Sequence, residues 1–478
     1  EKFSINSKHK IIGFDLNNND KLKERNYLIN LNKRLIILLS NYFNNLHDLK
    51  YSNKQWRIII HPWLWRFTAN YYDRYLLLKK IKEKVTINEA ITKSYNPIPK
   101  DYKNFIDLLY SKNWNYFISL EISKELKKNY LVFKKTKKKL ISIKLKKIIT
   151  FNEKKIKNII QKNLSKFKSK EVFIQGIGLN TLGLIELYLK LGHIPIKLNK
   201  FENFIYSYPK NKVSRVKVGR FKTLNEFESI LLSKIQNHIP YTYCENFNEL
   251  LKVSRDLSYF PKNIFTGQLH INSDLFKTWL SMPEMKKKNF YVISHGGNQF
   301  TRESQELLND LSISKKLLCI YKKKHKKTLN CSRPYLTNLE TRFKIKNIVI
   351  VDIERPIYND FRIGPTSSQI VESFEQNISF VNLLKEKKFI FKKLLLVPYK
   401  NEGYNSSYYY KKKINSKIVC KPKIASSIIN RNSIAICKYP LTIYAQSMFI
   451  CPTILFISGD WEFNSFFNKN KKYLEKNN

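Results

Sequence analysis

The chain has 478 residues, 43% of them hydrophobic, so it is long enough to bury a sizeable core and to form roughly two or three domains. It carries 88 Lys and Arg against 37 Asp and Glu, which gives a formal net charge of +51. This composition argues against a disordered chain, and its six scattered cysteines, none in a Cys-x-x-Cys pair, argue against a zinc knuckle or a disulfide framework.

The first predicted element is an amphipathic helix over residues 26–46, where apolar side chains recur at helical spacing. The aromatic-rich segment after it, residues 55–75, contains Trp56, Trp63 and Trp65, which are half of the six tryptophans. On composition alone, this segment predicts a helix pair packed on aromatic side chains.

The residue order in this region resembles the N-terminal motif of a family of transferases encoded in bacterial O-antigen clusters. The matching residues are Asn44, His47, Ser52, Trp56, Arg57, Ile58, Ile59, Ile60, Pro62, Trp63, Leu64, Asp73, Arg74 and Tyr75. A small residue is expected in place of His61, so the imidazole is expected to crowd a turn there. The resemblance gives an acceptor-side or structural role to Trp56, Arg57, Trp63, Asp73 and Arg74.

A lysine-rich stretch covers residues 135–170 and is interpreted as a solvated helix or a membrane-facing patch. The positive charge of the whole chain has three open explanations: the composition of an AT-rich genome, attraction to an anionic membrane, or nucleic-acid binding. No zinc finger, arginine-rich stripe or RNP-type motif supports nucleic acid, which is therefore the least favoured partner. Peripheral contact with an anionic membrane is expected.

Residues 172–198 predict a compact unit with strands at 172–175 and 194–198 and a helix over 181–191. A strand, helix and strand in this order imply a parallel sheet with a right-handed crossover. Gly176 and Gly178 match a dinucleotide-binding fingerprint only in part, and no acidic residue is placed for a ribose. NAD binding is not expected.

A buried strand over residues 290–293 ends at a turn that contains His295. In open α/β sheets, ligands bind at the carboxyl ends of the strands. Because imidazole titrates near neutral pH, His295 is a candidate to take a proton from an acceptor hydroxyl or to stabilise a departing phosphate. The alternative is a structural histidine that caps the turn.

The family resemblance favours the catalytic alternative. Its members have a His-Gly-Gly turn after a strand, followed by acidic residues on the way into the next helix, and a similar turn occurs in teichoic-acid polyol-phosphate polymerases. The resemblance therefore implies that His295, Glu303 and Glu306 are catalytic. It also implies that Gly296 and Gly297 contact the donor.

A polar stretch at residues 322–345 is the predicted interdomain linker. Beyond it, the sequence predicts a helix over residues 369–388 and strands at residues 347–352, 393–398, 433–437 and 453–457. The predicted fold is α/β, with two Rossmann-like domains facing a cleft in a GT-B-type arrangement and a helical N-terminal extension. Residues 1–330 are the predicted acceptor-side domain, and residues 345–478 the donor-binding domain, truncated at its C-terminal end.

In the GT-B-type arrangement, the donor nucleotide lies on the C-terminal domain with its phosphates at helix N-termini. The turn before Thr442 is the predicted phosphate site. The resemblance extends the donor-binding set to Gln446, Pro452 and Thr453.

The chain departs from the family at the donor site. Ala445 stands in place of a glutamate, Ile450 in place of an asparagine, and Leu395 in place of an arginine. A carboxylate for the ribose and a guanidinium for the phosphate are therefore missing, unless Gln446 or Lys438 replaces them.

The predicted function is transfer of a sugar, or less favourably a polyol phosphate, from a nucleotide-activated donor to a lipid-linked or saccharide acceptor in surface-polysaccharide biosynthesis. The alternatives are a catalytically decayed scaffold and a basic nucleic-acid-binding protein. No cofactor and no metal are expected, since the chain has no Asp-x-Asp motif. No run approaches the roughly 20 apolar residues that cross a bilayer, and the first residues do not resemble a signal peptide, so a cytoplasmic or membrane-peripheral location is expected.

Overall fold

The computed structural model describes only part of the chain. The described residues are 18–80, 85–87, 98–126, 130–132, 171–177, 181–192, 201, 204, 206, 215–222, 224–294, 305–319, 325–330, 345–352, 367–386, 393–398, 406–415, 417–419, 425, 428–438, 442–448 and 450–456. The lysine-rich stretch and the predicted strand at 194–198 lie outside these residues.

Two long helices, α1 (Asn18–His47) and α2 (Asn53–Lys80), pack together in the N-terminal region. The aromatic-rich segment is one continuous helix, so the prediction of a helix pair within residues 55–75 was wrong. His61 and Pro62 both lie inside α2, and there is no turn at His61 for the imidazole to crowd. A proline inside a helix removes one backbone hydrogen bond, but α2 is buried on nearly all sides, and that burial offsets the loss.

The helices α3 (Tyr102–Leu109) and α4 (Lys112–Glu125) complete the N-terminal helical region. Each begins at a side chain that accepts a hydrogen bond from a backbone N–H in the first turn: Asp101 caps α3, and Ser111 caps α4. A short parallel pair, β1 (Val85–Ile87) with β2 (Tyr130–Val132), lies in the same part of the chain.

The first sheet has five described strands, all parallel, in the order in which they occur along the chain. They are β3 (Val172–Gln175), β4 (Asn263–Thr266), β5 (Asn289–Ile293), β6 (Lys316–Cys319) and β7 (Thr328–Asn330). The helices between them are α5 (Thr181–Lys190), α6 (Glu226–Lys234), α7 (Phe247–Asp256), α8 (Leu269–Asn272), α9 (Asp274–Leu280) and α10 (Gln305–Ile313). β7 lies within the stretch predicted as the linker and inside the predicted domain of residues 1–330, because pairing with β6 makes this polar segment a strand.

The second sheet has four described strands, also parallel, in the order β11, β10, β8, β9. They are β8 (Asn347–Val351), β9 (Lys393–Val397), β10 (Ser433–Cys437) and β11 (Thr453–Leu455), which confirms the predicted strands. The helices here are α11 (Ser367–Glu386), α12 (Ser406–Lys413) and α13 (Thr442–Ser447).

Each sheet has its own buried core within the described residues. The largest cluster runs from Leu28 to Leu317 and joins the N-terminal helices to one face of the first sheet. Two smaller clusters between Val349 and Cys451 cover the faces of the second sheet. The architecture is therefore mixed α/β, with parallel sheets and a helical N-terminal region. Among the helices that the structure describes, none is both long enough and apolar enough to cross a bilayer.

Candidate functional site

The carboxyl ends of β3, β4 and β5 are packed closely together. The N–H of Gly267, just after β4, donates to the carbonyl of Gly176 at 3.1 Å. A Cβ at Gly267 would lie 2.9 Å from that carbonyl oxygen and 3.3 Å from the carbonyl oxygen of Ile293, so only glycine fits there. Ser294, the residue after β5, is buried and its N–H donates to Leu318. The predicted catalytic turn therefore starts from a rigid edge.

His295, Gly296, Gly297 and Glu303 belong to that turn and lie outside the described residues. The description resumes with α10, whose first turn contains the predicted catalytic residue Glu306. The assignments of catalysis and donor contact to the turn thus remain predictions.

The start of α10 faces α2. Glu306 accepts a hydrogen bond from Arg66 at 2.5 Å, and Asn309, one turn later, accepts one from Arg57 at 3.1 Å. The Arg66 and Glu306 side chains are 25% and 38% exposed, so a substrate can reach this ion pair from solvent. The structure therefore brings Arg57, predicted on the acceptor side, and Glu306, predicted to be catalytic, to one helix–helix contact.

A buried histidine–carboxylate pair lies beside this contact. His270 of α8 and Asp310 of α10 are joined by a 2.8 Å hydrogen bond between Nε2 and Oδ1. Burial raises the pKa of Asp310, although His270 acts in the opposite direction. Sequence analysis missed His270 because α8 has only four residues, and no motif marks a histidine there.

A narrow cleft opens where α2, α3, α8 and α10 meet. It is lined by His61, Pro62, Trp65, Arg66, Tyr102, Ile271, Glu306, Asn309 and Asp310. Because α8 follows β4 and α10 follows the turn after β5, the cleft lies toward the carboxyl edge of the first sheet. The free space in it is about 10 Å³, enough for about one water molecule, and the Arg66–Glu306 pair is its solvent-exposed part.

The remaining residues of the tryptophan motif are interior. Trp56, Trp63 and Asp73 have no exposed surface, and Arg74 is also buried. The indole N–H of Trp56 donates to Asn44 at 2.7 Å, which fixes the junction between α1 and α2. The motif was predicted to have either an acceptor-side or a structural role. Burial and internal hydrogen bonds of this kind are typical of a structural role.

His61 makes the stability of the protein sensitive to acid. Burial, helped by the nearby Arg57 cation, lowers the pKa of His61 to about 3. Since this pKa lies below that of an unfolded histidine, the stabilisation is complete above pH about 6.5 and is lost as the pH falls toward 3. We expect the wild type to lose about 1.4 kcal/mol per pH unit more than His61→Leu over this range, as measured by urea unfolding. His325→Leu, at an exposed histidine, is the matched control and should follow the wild type.

The carboxyl edge of the second sheet also holds a buried polar group. Asp352, directly after β8, accepts hydrogen bonds from Asn377 at 2.9 Å and from the Tyr410 hydroxyl at 2.8 Å. Asn377 also donates to the Tyr410 hydroxyl at 2.9 Å, so the three side chains form a closed network. This network fixes a carboxylate at the edge where parallel sheets bind ligands.

The predicted donor residues are not all at that edge. Thr442 begins α13 soon after the carboxyl end of β10. The helix then runs back along the sheet, so Gln446 lies about 6 Å farther along its axis. Pro452 and Thr453 lie at the amino end of β11, where Thr453 pairs with Ala435. The chain returns to the opposite edge of the sheet before β11 begins, and the donor-binding role of these four residues stays a prediction.

Two of the family departures have a packing consequence. Leu395 and Ile450 both pack against the core cluster formed by Val349, Val351 and Cys437 on one face of the second sheet. These apolar side chains stabilise the sheet by packing, and they have no hydrogen-bond donor or charge with which to bind a phosphate.

Groups of His, Cys, Asp and Glu that could hold a metal ion are absent from the part of the chain that the structure describes. That transfer needs neither metal nor cofactor stays a prediction.

Comparison with known proteins gives a family match over nearly the whole chain. A family model described as LIC12162 family transferase matches residues 4–476. No curated protein sequence matches significantly. A solved structure described as the S. aureus MnaA-UDP co-structure matches with 10% sequence identity and a TM-score of 0.29, covering 52% of this chain and 77% of that chain. A likeness this weak adds nothing to the functional argument.

Proposed function

The chain belongs to the LIC12162 family of transferases, and on this premise we propose that it is a glycosyltransferase. It moves a sugar from a nucleotide-activated donor to a lipid-linked or saccharide acceptor in surface-polysaccharide biosynthesis. The net charge of +51 supports peripheral contact with the anionic inner face of the plasma membrane during this reaction.

One observation carries the proposal: among the described residues, the five-stranded and the four-stranded parallel sheets each have buried ionisable side chains beside the carboxyl edge. The first sheet has the His270–Asp310 pair, and the second has Asp352 with Lys438. Ligands of open parallel sheets bind at this edge. Two such edges are what a GT-B-type enzyme needs for an acceptor and a donor, with residues 1–330 and 345–478 as the two domains.

The proposed roles follow this division. His295 is the base that takes the proton of the acceptor hydroxyl, and Glu303 and Glu306 orient it or the acceptor. Gly296 and Gly297 allow the donor to approach the turn closely. On the second sheet, the start of α13 at Thr442 binds donor phosphate.

A thermal-shift screen tests the donor site. The purified protein is heated with UDP-, GDP-, CMP- and dTDP-linked sugars, and the screen is repeated with Thr442→Ala. We expect one nucleotide class to raise the melting temperature selectively, because a ligand that binds only the folded state stabilises it. The shift should be reduced in Thr442→Ala. Stabilisation by none of the four classes, in a folded sample, would contradict a working donor site.

A catalytically decayed scaffold is the second candidate. Leu395 and Ile450 favour it, because both pack against the core where the family pattern has polar side chains. This candidate predicts a folded protein that no nucleotide-sugar stabilises, so the same screen separates the two.

A further inference from the structure

Lys438 is a buried lysine at the carboxyl edge of the second sheet. It follows β10 directly, and only 1% of its surface is exposed. Cys437 pairs with Val351 in the sheet, so Lys438 and Asp352 are the next residues on neighbouring strands. The ammonium therefore lies at the place where the proposed function puts the donor nucleotide.

The ammonium has weak compensation among the described residues. Its Nζ donates to the amide oxygen of Gln376 at 3.2 Å and lies 4.2 Å from the centroid of the Phe456 ring. A neutral oxygen and a ring face replace little of the hydration that a buried ammonium loses. Asp352 is the nearest carboxylate on the sheet edge, but both of its oxygens already accept hydrogen bonds from neutral donors.

The pKa of Lys438 reflects the hydration that its ammonium loses on burial and that its contacts do not replace. Burial lowers its pKa to about 8, although Asp352 from β8 and Glu372 from α11 act to raise it. An anion brought to Nζ would restore the lost stabilisation of the charged form. A phosphate is such an anion, since a lysine ammonium binds it as a point charge with up to three N–H donors.

We propose that Lys438 binds a phosphate group of the nucleotide donor. This inference rests on the proposed function. Phe456 covers the ammonium, and its ring is 37% exposed and stacks on Phe380 with a centroid distance of 5.6 Å. The backbone N–H of Phe456 donates to Cys437, so phosphate access to Lys438 requires rotation of the Phe456 side chain alone.

The proposal makes nucleotide affinity depend on pH. If phosphate binds only the protonated form of Lys438, binding at high pH requires the lysine to take up a proton. The affinity for phosphate therefore falls as the pH rises above the pKa of Lys438. Between pH 7.5 and 9.5, the dissociation constant should rise about 20-fold. Nucleotide phosphates stay ionised over this range. The ring N–H of uracil, thymine and guanine begins to lose its proton near the upper end, so the nucleoside with the same base is titrated at both pH values and its change is subtracted.

The test is calorimetric titration with the free nucleotide whose sugar gives the thermal shift, at pH 7.5 and 9.5. Lys438→Met should weaken binding by about 10- to 100-fold at pH 7.5 and remove the pH dependence. Lys438→Arg should keep the affinity and lose the pH dependence, because arginine stays charged. Lys413→Met, at an exposed lysine of α12, is the matched control and should behave as the wild type.

Two further ligands separate the phosphate contact from other effects. The corresponding nucleoside, which lacks phosphate, should bind wild type and Lys438→Met equally, and inorganic phosphate should bind the wild type weakly and the variant not at all. Wild-type affinity that is unchanged from pH 7.5 to 9.5 would overturn the inference, even if Lys438→Met failed to fold. Nucleotide binding that is equal in wild type and Lys438→Met would also overturn it and leave the proposed function standing. No nucleotide binding by the folded wild type would overturn both.

Discussion

Replacing His295 with alanine is expected to lower the rate of sugar transfer by about 100- to 10,000-fold, the usual contribution of a general base. An acceptor hydroxyl is a poor nucleophile until its proton is removed, and His295 is the proposed group for this step. Donor binding should be unchanged, because the donor phosphate is held on the second sheet. The rate is measured as nucleotide release in the presence of acceptor, and donor binding as the thermal shift.

His325→Ala is the control for this prediction, since His325 is an exposed histidine of the same half of the chain. It should leave the transfer rate unchanged. A rate in His295→Ala within about threefold of the wild type would contradict the catalytic role and support the turn-capping alternative, because removing a general base costs far more.

We expect substitution of Asp274 to cause the largest loss of stability. Its carboxylate accepts hydrogen bonds from the backbone N–H of Tyr102, from Thr242 and from Tyr243, at 2.8–3.0 Å. It also pairs with Lys277 at 2.6 Å, and both charged side chains are essentially inaccessible to solvent. We expect Asp274→Ala to lower the free energy of unfolding by about 3–5 kcal/mol, because it leaves the Lys277 ammonium buried without its counter-ion.

Urea unfolding followed by tryptophan fluorescence measures this loss. The matched control is Glu226→Ala, which breaks an ion pair of similar length with Lys79, 2.7 Å, whose side chains are 53% and 56% exposed. Exposed pairs contribute about 0–1 kcal/mol, so the control should stay close to the wild type. Equal losses in the two variants would show that the network around Asp274 is not the stabilising element described above.

Apolar runs predicted the second sheet and only part of the first, where β4 and β6 were not predicted. The strands of the second sheet and two of the first, β3 and β5, coincide with short buried runs that end at polar or glycine residues. β7 escaped prediction because Thr328–Asn330 is short and follows a lysine-rich segment, so only its pairing with β6 makes it a strand. Likewise, the predicted break in α2 failed because tertiary burial keeps Pro62 inside a helix.

Only the parts of the candidate site that lie within one continuous segment of the chain could be predicted from the sequence. The strand before His295 follows from the local pattern, and the family resemblance placed Glu306 at the start of the next helix. The Arg66–Glu306 contact joins residues 240 positions apart, and the His270–Asp310 pair joins two helices that no motif connects. The family resemblance assigned both Thr442 and Thr453 to the donor, and a motif along the chain does not show that a crossover helix separates them across the second sheet.

The most direct test of glycosyl transfer is mass spectrometry of the acceptor. The protein is incubated with the nucleotide-sugar that stabilises it and with a mixture of saccharide and lipid-linked acceptors from a polysaccharide-producing membrane, and the products are compared with those of His295→Ala. We expect acceptor species heavier by one sugar residue with the wild type and none, or only traces, with the variant. Nucleotide-sugar binding without any glycosylated product from this mixture would contradict it.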